Sequence, residues 1–157
     1  VNININLLEI EGSKEKYMNL RFESNLENID WNRVRDILKE VSMGYYEASI
    51  HEKAFKNSYS VVFVFDEDIL IGFGRSISDG AYQGAIYDVA VLDEYQGYGI
   101  GKKIISKLVK DMPNCNIILY SAVDKERFYE NMNFRRMKTG MAMFSNSKIM
   151  KEKGFTE

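Results

Sequence analysis

The sequence predicts a mixed α/β layer fold, and three observations carry that prediction. Helical spacing of apolar residues comes first, between residues 30 and 57. The period then changes to three β-branched and aromatic runs, "YSVVFVF", "ILIGFGRSIS" and "AIYDVAVL". A strongly amphipathic helix follows, then a short strand and a short helix. Helices and strands interleaved in this way bury their apolar faces by stacking in layers. The 157 residues suit one domain, and no repeat, low-complexity tract or Pro/Gly/Ser linker divides them, so a single domain over 1–157 is expected.

In chain order, residues 3–10 and 17–24 read as an extended N-terminal portion. In "IDWNRVRDILKEVSM", Val34, Ile37, Leu38 and Val41 recur at the spacing of one helix face, with Asp30 as N-cap. Gly44 breaks the pattern before a second helix in "GYYEASIHEKAFKNS". The first two β runs are joined by "DED", a hairpin signal. The third run is apolar on both faces, which fits a strand covered on both sides and central in its sheet. Strict alternation puts Ile86, Ala90 and Leu92 on one face and Tyr87, Val89 and Val91 on the other, with Asp88 as the odd carboxylate. Ile100, Ile104, Ile105, Leu108, Val109 and Met112 then form one helical stripe, stopped by the only proline, Pro113. "NIILYS" is a short strand and "DKERFYENM" a short helix. "FRRMKTGMAMFS" reads as extended segments broken around Gly140.

Between the third β run and the strong helix lies "YQGYGIGKK", with glycines at 97, 99 and 101. Glycine there loses more conformational freedom than any other residue, so a bare backbone must be needed. The first four amides of a helix lack internal partners and point outward at the positive end of its dipole. A glycine-rich approach to such amides is a phosphate-binding loop. Two familiar loops fail letter by letter. The G-x-x-x-x-G-K-[ST] loop would need Gly at 96 and Ser or Thr at 103, where the chain has Gln96 and Lys103. The G-x-G-x-x-G fingerprint would need Gly at 102, which is Lys102. Lys102 and Lys103 stand where the dipole disfavours cations. A bound anion would offset that mismatch, and plain solvation of an exposed face would equally account for them.

"YDVAVLDEYQGYGIGKKIISKLV" resembles the central motif of the GCN5-related N-acetyltransferases, the GNAT family: a strand, then [QR]-x-x-G-x-[GA], then a helix. "RFYENMNF" resembles the family's second motif, an aromatic pair before a turn and another Phe. Together the two motifs extend the resemblance over roughly residues 60–144, and "YDVAV…YQGYGIG" is locally similar to the sugar-phosphate acetyltransferases of the family. The resemblance implies a GNAT-like acyl-CoA N-acyltransferase fold, with a mixed, mostly antiparallel central sheet flanked by helices. It implies acetyl-coenzyme A as co-substrate, no metal, and a small-molecule or peptide amine as acceptor. A homodimer is a family habit.

Residue by residue, the resemblance gives the pyrophosphate to the backbone of Gln96, Gly97, Tyr98, Gly99, Ile100 and Gly101, with Lys102 beside them. The pantetheine arm would lie along Val89, Ala90 and Val91, where its two amides can imitate a strand at a sheet edge. Tyr129 matches the tyrosine that faces the thioester sulfur. The amine attacks the acetyl carbonyl directly in a ternary complex, and coenzyme A departs as a thiolate. A thiol pKa near ~8.5 against a phenol near ~10 makes tyrosine a suitable proton donor to it. Asp88 could orient the amine or relay its proton through water, or it could bind structural amides. Tyr45, Tyr46 and Glu47 fall where the family walls its acceptor pocket; the tyrosines suit that wall and suit packing too. Two positions depart from the family pattern. Asn133-Phe134 replaces Gly-Phe, and Asn tolerates the left-handed helix end. Ala122 replaces an Asn that contacts the cofactor arm.

Composition narrows the rest. A net charge of -2 gives no global electrostatic case for nucleic acid. No apolar run approaches the ~18 residues of a membrane helix. Cys115 is the only cysteine, and the opening "VNININLLEIEGSKEK" has no basic leader before an apolar block, so a cytoplasmic protein is expected. His51, the only histidine, has no partners at metal-ligand spacing and reads as a surface residue. The alternatives from other classes are a non-catalytic acyl-CoA-binding or regulatory domain and a transferase of another acyl group.

Overall fold

Asp30 starts the first helix as its side chain predicts: Oδ1 accepts from the amides of Asn32 at 2.9 Å and Arg33 at 3.3 Å. This computed structural model describes the backbone of residues 2–4 and residues 18–157 in full. The strands are β1 (Asn2–Asn4), β2 (Asn19–Glu23), β3 (Ser60–Asp66), β4 (Ile69–Ser78), β5 (Gln83–Val91) and β6 (Asn116–Ile118). The helices are α1 (Trp31–Glu40), α2 (Ala48–Lys56), α3 (Ile100–Lys110), α4 (Glu126–Glu130) and α5 (Ser147–Glu152). Of the predicted extended stretch 17–24, Asn19–Glu23 forms β2, with Met18 and Ser24 flanking it outside the strand; of 3–10, residues 3 and 4 fall in β1, and 5–10 and 17 lie outside the described residues. The chain forms two compact units, Val1–Ile118 and Leu119–Glu157.

In the first unit the strands lie in the order β1-β2-β3-β4-β5-β6, antiparallel throughout except for the parallel pair β5 and β6. The "DED" signal becomes a two-residue turn at Glu67 and Asp68, with Asp66 opposite Ile69. Asp79 makes the next turn, its Oδ1 accepting the amides of Ala81, Tyr82 and Gln83. One face of the sheet carries a ring cluster: Phe55 of α2 lies 5.3 Å from Phe63 and 5.7 Å from Phe73, and Trp31 of α1 lies 5.6 Å from Phe55. On the other face α3 buries Ile100, Ile104, Ile105 and Leu108. Burying side chains of this size stabilises by about 1.5–3 kcal/mol each. The helix can seat this closely because Gly74 has no side chain; a Cβ there would lie 2.7 Å from Ile104 Cγ2.

The alternation expected along β5 holds only in part. The register pairs Arg75 with Tyr87 and Phe73 with Ala90, so two residues of β5, Asp88 and Val89, stand against Gly74 alone. This is a β-bulge, and Asp88 takes φ 53 to form it. The extra residue slips the phase. Ala90 shares the face of Tyr87 and Arg75, while Val91, opposite Gly72, shares the face of Ile86, opposite Ser76. Strict alternation had put Ile86 with Ala90 and Tyr87 with Val91.

The second unit holds α4 and α5. Asn133 (φ 68) ends the α4 segment: its amide donates to Glu130 O at 3.0 Å, and the Phe134 amide donates to Tyr129 O at 3.1 Å. The pair of bonds is a Schellman ending with Asn in the glycine place. The expected extended segments around Gly140 do not become strands. Met141 and Met143 are exposed there, and an unpaired run without burial has no ladder to hold it.

Candidate functional site

The loop before α3 is held at both ends. At its entry the Gln96 side chain donates from Nε2 to Val91 O at 2.9 Å and to Asp93 Oδ1 at 2.8 Å. The Gln96 amide is itself used, donating to Asp93 O at 3.1 Å. At its exit Ile100 is buried in the core. Between them Gly97 (φ 84) and Gly99 (φ 76) take the left-handed conformation that disfavours side chains. A Cβ added at either would meet nothing within 4 Å, so the space in front of them is open. The first α3 bond is from the Lys103 amide to Gly99 O at 3.0 Å. Among the described residues, nothing takes up the amides of Gly97, Tyr98, Gly99, Ile100, Gly101 or Lys102. That leaves a fan of bare N–H groups at the positive end of an eleven-residue helix.

β5 leads into this loop. Its parallel ladder with β6 covers Gln83, Gly84 and Ala85 and stops there. Val89, Ala90 and Val91 lie beyond the ladder, with β4 on one side and no described strand on the other.

The bulge turns the Asp88 carboxylate toward β4. Its Oδ2 accepts from Nε of Arg75, and the two side chains are 25% and 15% exposed. Asp88 thus pairs with a guanidinium and, among the described residues, with no structural backbone amide. The Arg75 guanidinium carbon also sits 5.4 Å from the Tyr87 ring centre and 5.9 Å from that of Phe55. Arg75 went unnoticed in the sequence, although it is the one charged residue in "ILIGFGRSIS" and hairpin register would have set it beside Tyr87 and Asp88.

His51 corrects the sequence reading as well. It is 4% exposed, not a surface residue, because α2 turns it against the sheet. Its Nε2 accepts from the Tyr46 amide at 2.9 Å, which fixes the proton of the neutral ring on Nδ1. Tyr45 and Tyr46 are exposed at the entry to α2, and Glu47 takes the N-cap position without a side-chain cap bond. Burial lowers the His51 pKa from 6.5; the cations Arg75 and Arg35 act in the same direction and the Asp88 charge opposes them.

Tyr129, on α4, has its ring between Phe128 at 5.1 Å and Phe134 at 6.0 Å, both edge to face. Burial raises its phenol above the usual 10.0. No described hydrogen bond occupies its hydroxyl. Ala122 is exposed and offers only its carbonyl, to the Lys125 amide. No group of three or more His, Cys, Asp or Glu side chains among the described residues is placed to hold a metal ion, and no helix there is long and apolar enough to cross a membrane.

The family model of the acetyltransferase (GNAT) family matches residues 25–134. The chain belongs to the GNAT family. This GNAT chain is 28% identical over 134 residues to the uncharacterized N-acetyltransferase ycf52 of Porphyra purpurea, covering 83% of itself and 72% of that protein. It is 41% identical over 71 residues to the chloroplastic GCN5-related N-acetyltransferase 2 of Arabidopsis thaliana, of which it spans 28%. A GNAT-family acetyltransferase structure from Streptococcus pneumoniae superposes with a TM-score of 0.68 at 21% identity, covering 80% of this chain and 98% of that one. The expected layered fold, with its mostly antiparallel mixed sheet, is the fold of this GNAT structure.

The buried His51 makes stability depend on pH. Above 6.5 the imidazole is neutral in both folded and unfolded chains. Below it the unfolded chain takes up a proton that the folded chain resists, so the native state loses stability as pH falls. Denaturant titrations between pH 7.5 and 5.5 should show this loss in the wild type and a shallower dependence in His51→Gln. An identical dependence in both would remove His51 as its source.

Proposed function

We propose that this chain is an acetyl-coenzyme A-dependent N-acetyltransferase acting on a primary amine by direct transfer in a ternary complex. One observation carries the proposal: six adjacent amides at the start of α3 without partners among the described residues, fronted by open space over Gly97 and Gly99. A diphosphate fits that fan in charge, and the two glycines leave it room. Gln96 differs from the rest of the loop because its amide and side chain are already engaged, so its part is to hold the loop's entry. Val89, Ala90 and Val91 offer an edge along which an amide-bearing arm can lie as an added strand. Acetyl-coenzyme A, when bound, supplies the activated acetyl group and a thiolate leaving group.

By its match to the family's second motif, Tyr129 is assigned as the proton donor to that thiolate. Its raised pKa keeps the phenol protonated at neutral pH, and no group among the described residues takes up its hydroxyl. Asp88 uses Oδ2 for Arg75 and keeps Oδ1 to orient the acceptor's amino group and relay its proton through water to solvent, so that the neutral amine attacks. Tyr45, Tyr46 and Glu47 wall the acceptor, supported by the exposure of both rings and by the Tyr46–His51 bond on the side where His51 senses Asp88 and Arg75. A cytoplasmic setting belongs to the same proposal, and the free thiol of Cys115 is compatible with a reducing compartment.

Three measurements test these assignments. Gly99→Val puts a β-branched side chain at φ 76, into the anion's approach, and should abolish coenzyme A binding in calorimetry; unchanged affinity would remove the loop from the site. Tyr129→Phe should lower kcat by about 100-fold or more with little change in coenzyme A affinity, and equal activity would end its role as acid. Asp88→Asn should alter the alkaline-rising limb of the pH–rate profile measured with a panel of amines; a superimposable profile leaves Asp88 as Arg75's partner only.

A further inference from the structure

The two residues just ahead of the glycine loop are tied to opposite places. Gln96 is bonded to the strand end, as described above. Tyr95 reaches elsewhere: its hydroxyl donates to Asp66 Oδ2 at 3.1 Å, across 29 positions of sequence, at the far end of the β3–β4 hairpin. Tyr95 is 6% exposed, and its amide closes the short turn Asp93–Tyr95 on Leu92 O at 2.8 Å. Asp66 is a junction. Its Oδ1 accepts the Asn19 amide of β2 at 2.9 Å, and the Glu67 amide returns to Asn19 O at 3.1 Å. One carboxylate therefore joins β2, the β3–β4 turn and the turn that launches the loop.

From this geometry we infer that Tyr95 and Asp66 are positioning residues for the loop's amides, acting at a distance from anything bound there. The inference rests on the coenzyme A reading of the loop. Two left-handed glycines give the backbone a freedom that must be lost when an anion is gripped, and a loop ordered in advance loses less. Between Gln96 and the buried Ile100 only Gly97, Tyr98 and Gly99 are unanchored, so the orientation of the fan is inherited from the turn before it. Tyr95 fixes that turn by a bond to a charged acceptor, the stronger kind of neutral-to-ion hydrogen bond. Burial first, and then Asp66, push the Tyr95 phenol to about 12, so the hydroxyl remains a donor throughout the neutral range.

The test is a double-mutant cycle on the whole chain, with Tyr95→Phe, Asp66→Leu and the pair. Coenzyme A affinity is read by calorimetry, kcat and KM by thiol release, and the Gly97 and Gly99 amides by 15N-resolved NMR without ligand. Tyr95→Phe should weaken coenzyme A about tenfold, equivalent to ~1.4 kcal/mol, raise KM for acetyl-coenzyme A and leave kcat within about twofold. The double variant should bind no more weakly than the worse single variant. Asp66→Asn, which still offers an oxygen acceptor, should restore most of the affinity if Asp66→Leu proves too unstable to purify. Both glycine amides should move in Tyr95→Phe. Wild-type affinity in Tyr95→Phe, with unmoved glycine amides, overturns the inference. Equal and independent losses in the cycle overturn it also. No uptake of coenzyme A by the wild type would strike the loop reading itself, and the glycine resonances would still decide whether Tyr95 orders the loop.

Discussion

A helix cannot hydrogen-bond the amides of its own first turn, and the architecture of the first unit is organised around where α3 leaves those amides. The apolar stripe of α3 is buried against β3, β4 and β5, which fixes the axis of the helix. Its N-terminus then opens at the end of β5, the strand whose parallel ladder has already ended. Had Gly74 carried a side chain, Ile104 could not sit where it does, and the loop amides would point elsewhere. Packing on one face of the sheet thus sets the electrostatics at its end.

The other face carries a different chemistry. Arg75, Asp88 and His51 are charged or ionisable groups in a layer that also holds the rings of Trp31, Phe55, Phe63 and Phe73. The guanidinium answers the carboxylate and rests near two aromatic rings, so neither charge is stranded. His51 stays neutral in that company and spends its lone pair on the Tyr46 amide, which stands where α2 has no side-chain cap. Acid–base capacity and the shape of the α1–α2 connection are linked through one ring.

Local rules made much of this legible. Asp30 capped α1 because a carboxylate before an apolar period is a stop for the chain's free amides. The α3 stripe, the two-residue turn after β3 and the glycine loop could each be read from spacing and turn chemistry, and Asn133 could be read as a helix end because its side chain tolerates positive φ. What escaped is what depends on register between distant strands. The bulge left only one trace in "AIYDVAVL", the odd carboxylate Asp88, a residue that strands disfavour and that tolerates positive φ; the register that makes it a bulge cannot be read there. The Arg75–Asp88 pair follows from that bulge, and the Tyr95–Asp66 bond follows from how the hairpin end meets the turn. His51 read as a surface residue because the partner surface, not the helix, decides which side is covered.

The slipped phase of β5 has a consequence for anyone altering this strand. Inside and outside must be counted separately upstream and downstream of Asp88, as though the strand had two reading frames. A polar residue placed at Val91 on the strength of its odd number, to match Tyr87, would in fact be pointed at the side where Ile86 lies.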